Sequence, residues 1–268
     1  MLTSTLLLAA LSWAATRAQP DIETELGALL SDKAMVIAPS SPHFGESTER
    51  YLRSNSLEYA VVVVVDTEDD VSQAVQGGLA TMHGGMNIWL WNLSRIEIAL
   101  DGQHAYVGAA LCQCVGVAGS SIGGGVGVFM GSYCLGPDQI VSARVVLANG
   151  TAVTASPEPH ADLLWALKGA GHNFGIVTEL QLRVFDNTGK TDWSSALLVF
   201  TQDKLEALFR QLNAQLPRQP SHLSFDVLIV RDPSADAENS IILVRLFSNV
   251  FSVTTLEDLK GPRISFGI

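Results

Sequence analysis

The stretch that most constrains this chain is residues 112–138, CQCVGVAGSSIGGGVGVFMGSYCLGPD. Seven of the sixteen residues in 116–131 are glycine. Glycine has no Cβ, so it tolerates positive φ and lets another group lie directly against the backbone. A row of exposed N–H groups forms a concavity suited to phosphate oxygens. The run follows an expected strand at residues 104–111 and leads into another at 140–148, so it is expected to be a loop between strands.

The familiar nucleotide motifs do not account for it. A Walker loop needs Gly-Lys-Ser/Thr, and the run contains no lysine. A dinucleotide fingerprint needs G-x-G-x-x-G, whereas Gly125, Gly127 and Gly131 are spaced G-x-G-x-x-x-G. Glycine content alone leaves a cofactor cradle and a tightly packed structural loop equally open.

The order of the neighbouring segments discriminates between them. CQCVGVAGSSIGGGVG, GPDQIVSARVVLANG and DLLWALKGAGHNFGIVTELQLRVF together resemble the FAD-linked oxidases of berberine-bridge-enzyme-like organisation, most closely the fungal type. The likeness is strongest over residues 58–186 and weaker back to about residue 41. It implies an α+β fold of α/β character: a PCMH-type two-subdomain FAD-binding fold at 41–190, incomplete here, then part of an α+β substrate domain at 191–268. The cofactor implied is FAD. The resemblance places Cys112, Gly116, Gly119, Gly123, Gly124, Gly125, Gly127, Gly169, Gly171, Gly175, Ile176 and Val177 beside it. Cys112 matches the position that can bond covalently to the flavin ring in the family; the alternative is an ordinary buried thiol. Asp138 is expected to anchor the glycine loop by accepting backbone N–H bonds. His172 invites an acid–base role, but a local hydrogen bond is the favoured reading. No catalytic residue and no metal ligand is identified.

The chain also departs from the family pattern. Leu111 abuts Cys112 where relatives carry a further helix and strand. Near His83, LATMHGG runs straight into MNIWLW, where relatives have an apolar strand and a Gly-Gly-His-Gly loop that holds the pyrophosphate and supplies a second covalent link. His83 reads as the end of the preceding helix and is not nominated. Relatives also continue further at the carboxyl end, where an Asn-Tyr pair and the base near the substrate lie. Two readings follow. One is an FAD-dependent oxidase passing hydride from an alcohol, sugar or secondary-metabolite substrate to flavin and then to dioxygen. The other is a non-catalytic relative, or an incomplete gene product, with weak or no flavin binding.

Composition narrows the setting. Asp plus Glu outnumber Lys plus Arg by 27 to 16, a net charge of −11 that offers no footprint for nucleic acid. Residues 1–18 read as a secretory signal, with an apolar stretch at 6–15 and small residues before the cleavage point. No segment is long enough to span a membrane. The expectation is a secreted protein whose partners are a small molecule and O2, with potential glycans on Asn92 and Asn149. Three cysteines leave at least one unpaired, and Cys112 and Cys114 are too close to bridge each other.

Local patterns give the elements. AVVVVVD at 60–66 is a strand covered on both faces, and Thr67 caps a helix with Val71, Ala74 and Val75 inward. Asn149-Gly150 reads as a two-residue hairpin turn, and 161–168 as a helix stopped by Gly169. Leu163, Trp165 and Leu167 are expected in the core, and 174–185 as a strand. Helix 202–216 carries Leu205, Leu208, Phe209, Leu212 and Leu216 on one face. IILV at 241–244 asks for cover on both sides of its sheet.

Overall fold

The computed structural model describes residues 22–49, 58–77, 84–97, 105–106, 115–186 and 193–248. The signal segment, His83, Cys112 and Cys114 lie outside them, as does most of the strand expected at 104–111. The chain divides into two compact units, 1–95 and 96–268.

The first unit is built on the valine run. β2 (Tyr59–Val64) pairs antiparallel with β1 (Met35–Ile37) and parallel with β3 (Gly85–Trp89). Val61 to Val65 are all buried, which is why the segment is apolar at successive positions rather than alternately. Val62 and Val64 pack with Ile37, Phe44 and Trp89. The crossover from β2 to β3 is α3 (Glu68–Gln76), and its start is fixed by a reciprocal cap. Thr67 Oγ1 accepts from the Asp70 amide at 3.1 Å, and Asp70 Oδ2 accepts from the Thr67 amide at 2.9 Å. Val71 and Ala74 are fully buried, as the helical spacing requires. Two short helices, α1 (Ile22–Gly27) and α2 (Phe44–Ser47), precede the sheet strands on either side of β1.

Asp70 also ties this unit together. It is only 1% exposed, yet it accepts from the Ser31 amide at 2.6 Å, the Ser31 hydroxyl at 2.7 Å and the Asp66 amide at 3.1 Å. Burial alone would raise its pKa. The bonds from Ser31, Thr67 and Asp66 outweigh that and hold the carboxyl below its ordinary range.

In the second unit a three-stranded antiparallel sheet runs in the order β6 (Ala152–Ala155), β5 (Ile140–Val146), β7 (Ile176–Leu182). Helix α6 (Ala161–Ala170) lies against β5 and β6. Leu164 and Leu167 pack with Ile140, Ala143, Val145, Ala155 and Val177. Trp165 does not join them: it is 80% exposed. The core expectation fails there because Leu164 and Leu167, one turn apart, already define the inward face, and residue 165 is turned away from it.

The β5–β6 turn differs from the expected two-residue form. Leu147 N–H donates to Thr151 O at 2.9 Å and Gly150 N–H to Leu147 O at 2.8 Å. Gly150 has φ +79°, whereas Asn149 is not among the positive-φ residues. A two-residue type I′ turn needs both in the left-handed region, so the loop is instead Ala148, Asn149 and Gly150, with the left-handed glycine closing a type I turn.

A second antiparallel sheet follows, in the order β10 (Leu223–Val230), β11 (Ile241–Ser248), β9 (Ser194–Thr201). α7 (Leu205–Gln215) covers one face through Leu208 and Leu212, which pack on Ile242, Val244 and Leu246. Phe209 and Leu216, expected inward, are 41% and 50% exposed, because Leu208 and Leu212 set the face that meets the described strands. Residues of the opposite face include Leu197, Val199 and Leu228, all exposed, around a bidentate ion pair. Arg245 donates to Asp226 through Nε at 2.8 Å and Nη2 at 2.7 Å across paired strands. Among the described residues no helix is long and apolar enough to cross a membrane.

Candidate functional site

The glycine run is not simply a loop. Its centre folds as α4 (Val117–Gly123), followed by a left-handed exit at Gly124 and Gly125 and then α5 (Met130–Tyr133). Gly116 caps α4, its carbonyl accepting from Ser120 N–H at 3.0 Å. The apolar small residues of VAGSSIG permit a helix where glycine frequency argued against one, because α4 packs against α6.

The glycines of this region fall into two groups according to what a side chain would meet. At Gly125, with φ +58°, an added Cβ would lie 2.4 Å from Gly136 Cα and 2.9 Å from Pro137 Cδ. Gly136 is the reciprocal member, its Cβ position 2.8 Å from Gly125 Cα. The two backbones touch and are joined by Gly136 N–H to Gly125 O at 2.8 Å. At Gly171 the Cβ position is 2.6 Å from Ile122 Cβ, and at Gly175 it is 2.6 Å from Val146 O. Gly131 is pressed on Ser221 O in the same way, at 2.5 Å. These glycines are required by packing within the protein.

The second group has no such requirement. Around Gly116, Gly119, Gly123, Gly124 and Gly169 no atom of the described residues, the local backbone aside, lies within 4 Å of the Cβ position. Gly116 and Gly119 are one turn apart on α4, Gly123 and Gly124 form its carboxyl end, and Gly169 sits at the break that ends α6. Gly171, two residues after that break, touches Ile122, so the α6 break is beside the end of α4. The result is backbone left open at these glycines, on a frame held by the packed ones. Such a surface suits a flat or phosphate-bearing group, and the residues present fit FAD in that respect.

Its other members are placed as follows. Asp138 Oδ2 accepts from Leu135 N–H at 3.0 Å and its own amide donates to Leu135 O at 3.1 Å, closing the turn after α5. Gly127 is buried, and its carbonyl accepts from Met130 N–H. The Val177 side chain belongs to the sheet core, so only its backbone is available to a ligand. Ile176 is half-buried beside Gly175, and His172 is exposed in the short turn after α6. Cys112 falls outside the described residues.

Three contributors were not read from the sequence. Gly136, inside an ordinary-looking Gly-Pro turn, has no local signal; only the contact with Gly125 explains it. Gln139, nearly fully buried, donates from Nε2 to the Tyr133 carbonyl and so fastens α5 to the start of β5. Phe129, Tyr133, Phe185 and Trp193 form an aromatic set, with Phe129 edge-on to Trp193 at 4.5 Å and Tyr133 stacked on Phe185 at 4.2 Å. It joins α5 to β8 (Phe185–Asp186), which pairs with β4 (Ala105–Tyr106), and to the segment entering β9.

Known proteins resemble this chain in sequence and in fold. The chain is 35% identical over 231 residues to the FAD-linked oxidoreductase anuG of Penicillium roqueforti (strain FM164), covering 72% of this chain and 45% of that protein. It is 32% identical over 262 residues to the FAD-linked oxidoreductase chyH of Penicillium rubens, covering 82% and 52%. Among solved structures, BBE-like 1 of Physcomitrella patens superposes with a TM-score of 0.72 at 19% identity, over 88% of this chain and 58% of that one. No protein-family model matches. The chain is a relative of the fungal FAD-linked oxidoreductases, and its mixed α+β fold is that of the berberine-bridge-enzyme-like structures. It spans about half the length of the curated relatives it matches.

Proposed function

We propose that this chain is the flavin-holding part of a secreted FAD-dependent oxidoreductase. The observation that carries the reading is the segregation of glycines, with Gly116, Gly119, Gly123, Gly124 and Gly169 open while Gly125, Gly136 and Gly171 are closed by protein. Helix propensity disfavours an open glycine inside α4 by roughly 0.5–1 kcal/mol relative to alanine. Close approach of a ligand to the backbone gives Gly119 and Gly123 a reason that the fold alone does not supply. FAD held there would supply the redox chemistry, oxidation of an alcohol, sugar or secondary-metabolite substrate with dioxygen as the final acceptor. The share of this chain is to bind and orient: the open backbone at Gly116, Gly119, Gly123, Gly124 and Gly169 would lie against the cofactor, Asp138 fixes the turn after α5, and Cys112 offers a thiol for a covalent tether. No described side chain is assigned the role of base. The reading includes glycans on Asn92 and Asn149, both exposed.

A second reading, a relative that holds flavin weakly or not at all, is favoured by the departures from the family pattern at residues 76–88 and 108–114. Titrating the purified chain with FAD separates the two. Saturable binding of one FAD per chain supports the first reading, and a flavin mass on the Cys112 peptide adds the tether. Absence of saturable binding by folded protein selects the second.

A further inference from the structure

Outside the cradle, the chemically distinctive place is the β5–β6 turn. Asn149-Gly150 is the one Asn-Gly dipeptide in the sequence. Ala148, Asn149 and Thr151 are exposed at the tip, while Gly150 itself is buried. The turn is held by Gly150 N–H to Leu147 O and by Thr151 N–H to Asn149 Oδ1, at 2.8 and 2.9 Å. Glycine at position 150 places no side chain in the path between its own nitrogen and the Asn149 carboxamide.

We propose that Asn149, in chains that carry no glycan there, is a site of spontaneous deamidation in the folded protein, reached by local opening of this turn. The step needs only water. The Gly150 nitrogen gives its proton to solvent base and bonds to Asn149 Cγ, the Cγ–Nδ2 bond breaks, and ammonia leaves with the proton. Water then opens the five-membered imide. Cleavage at the side-chain carbonyl gives aspartate at 149, and cleavage at the main-chain carbonyl gives the isoaspartyl linkage.

The two turn bonds set the gate. While Gly150 N–H is donated to Leu147 O its proton is held in that bond, so reaction requires the bond to break. Beyond the Leu147 N–H to Thr151 O bond the tip is held by these two bonds alone, so it opens at lower free energy than the sheet behind it. The products differ in how they fit the closed turn. Aspartate keeps an acceptor for Thr151 N–H, whereas isoaspartate inserts a methylene into the main chain three residues from Val146. Val146 is the residue whose carbonyl braces Gly175. Either product takes the net charge from −11 to −12.

Asn239 is the internal control. It is exposed and precedes Ser240, and its amide and side chain are bonded to Asp236 in a comparable turn. The whole chain, produced without glycosylation, is held at mildly alkaline pH and mapped by peptide mass spectrometry over time, folded and in urea, beside Asn149→Gln. The expected result is an amide-to-acid mass gain at the Asn149 peptide, as aspartyl and isoaspartyl isomers, several-fold faster than at Asn239 in the folded chain. It should be faster still in urea and absent from that peptide in N149Q. Conversion of Asn149 in the folded chain no faster than that of Asn239, or conversion in urea alone, would overturn the proposal.

Discussion

Replacing Gly125 and Gly119 separately by alanine should move stability in opposite directions. At Gly125 the new Cβ would sit 2.4 Å from Gly136 Cα and 2.6 Å from its nitrogen, against about 3.5–4.0 Å for carbon contacts at rest. Backbone must give by about 1 Å, an overpacking cost of roughly 1–3 kcal/mol. The left-handed φ of +58° adds about 1–2 kcal/mol for any residue with a Cβ. Displacing Gly136 also strains its bond to Gly125 O, worth about 0.5–1.5 kcal/mol. Gly125→Ala is therefore expected to lose about 3–6 kcal/mol, a large part of the stability of a typical domain. Gly119 is helical and meets nothing within 4 Å, so Gly119→Ala should gain roughly 0.5–1 kcal/mol in the flavin-free chain. The assay is urea unfolding of each full-length variant without FAD, followed by far-UV circular dichroism. If Gly125→Ala unfolds at the parent midpoint, or Gly119→Ala unfolds well below it, the division of the glycines into packed and open is wrong.

Two further outcomes follow from other sites. The folded pKa of Asp70 is depressed, so its stabilisation is full above the unfolded value of about 3.9 and is lost as pH falls below that toward the folded value. Asp70→Asn, whose amide turns two hydrogens toward donors, should cost about 1–3 kcal/mol at neutral pH and flatten acid unfolding below pH 4; an unchanged acid limb in this variant would contradict the role. Cys134 is exposed with φ +66° and ψ −165°, a conformation suited to glycine. Cys134→Gly relieves roughly 1–3 kcal/mol of strain against about 0.4–1 kcal/mol of added unfolded-state entropy, so a higher melting temperature is expected and a lower one would refute the strain.

Much of the frame was legible because its residues signal locally. The five consecutive valines announced a strand buried on both faces, and Thr67 announced the helix start; the reciprocal bond from Asp70 came only with the structure. α6 ends near Gly169 as its glycine required, since Lys168 and Gly169 leave the helical region there. What escaped the sequence depends on distant contacts. α4 forms where glycine propensity opposes it because Ile122 and Gly171 bring it against α6. Trp165 lies outside the core because its neighbours at 164 and 167 set the helix rotation. The Asn149 turn takes a third residue, since the Leu147–Thr151 bond rather than the Asn-Gly dipeptide fixes where the ladder ends. Within the candidate site, the sequence located the glycine-bearing segments. It had no means of separating the glycines that admit a neighbour from those that face open space, because the partner backbone at Gly136 or Val146 belongs to another part of the chain.

The central claim is that FAD lies on the open glycine surface, and amide hydrogen exchange with and without FAD tests it most directly. Slowed exchange is expected at the amides of residues 117–124 and 169–171, with β9, β10 and β11 unchanged. Protection confined to residues 22–95, or bound FAD with no slowing across 117–124, would contradict it.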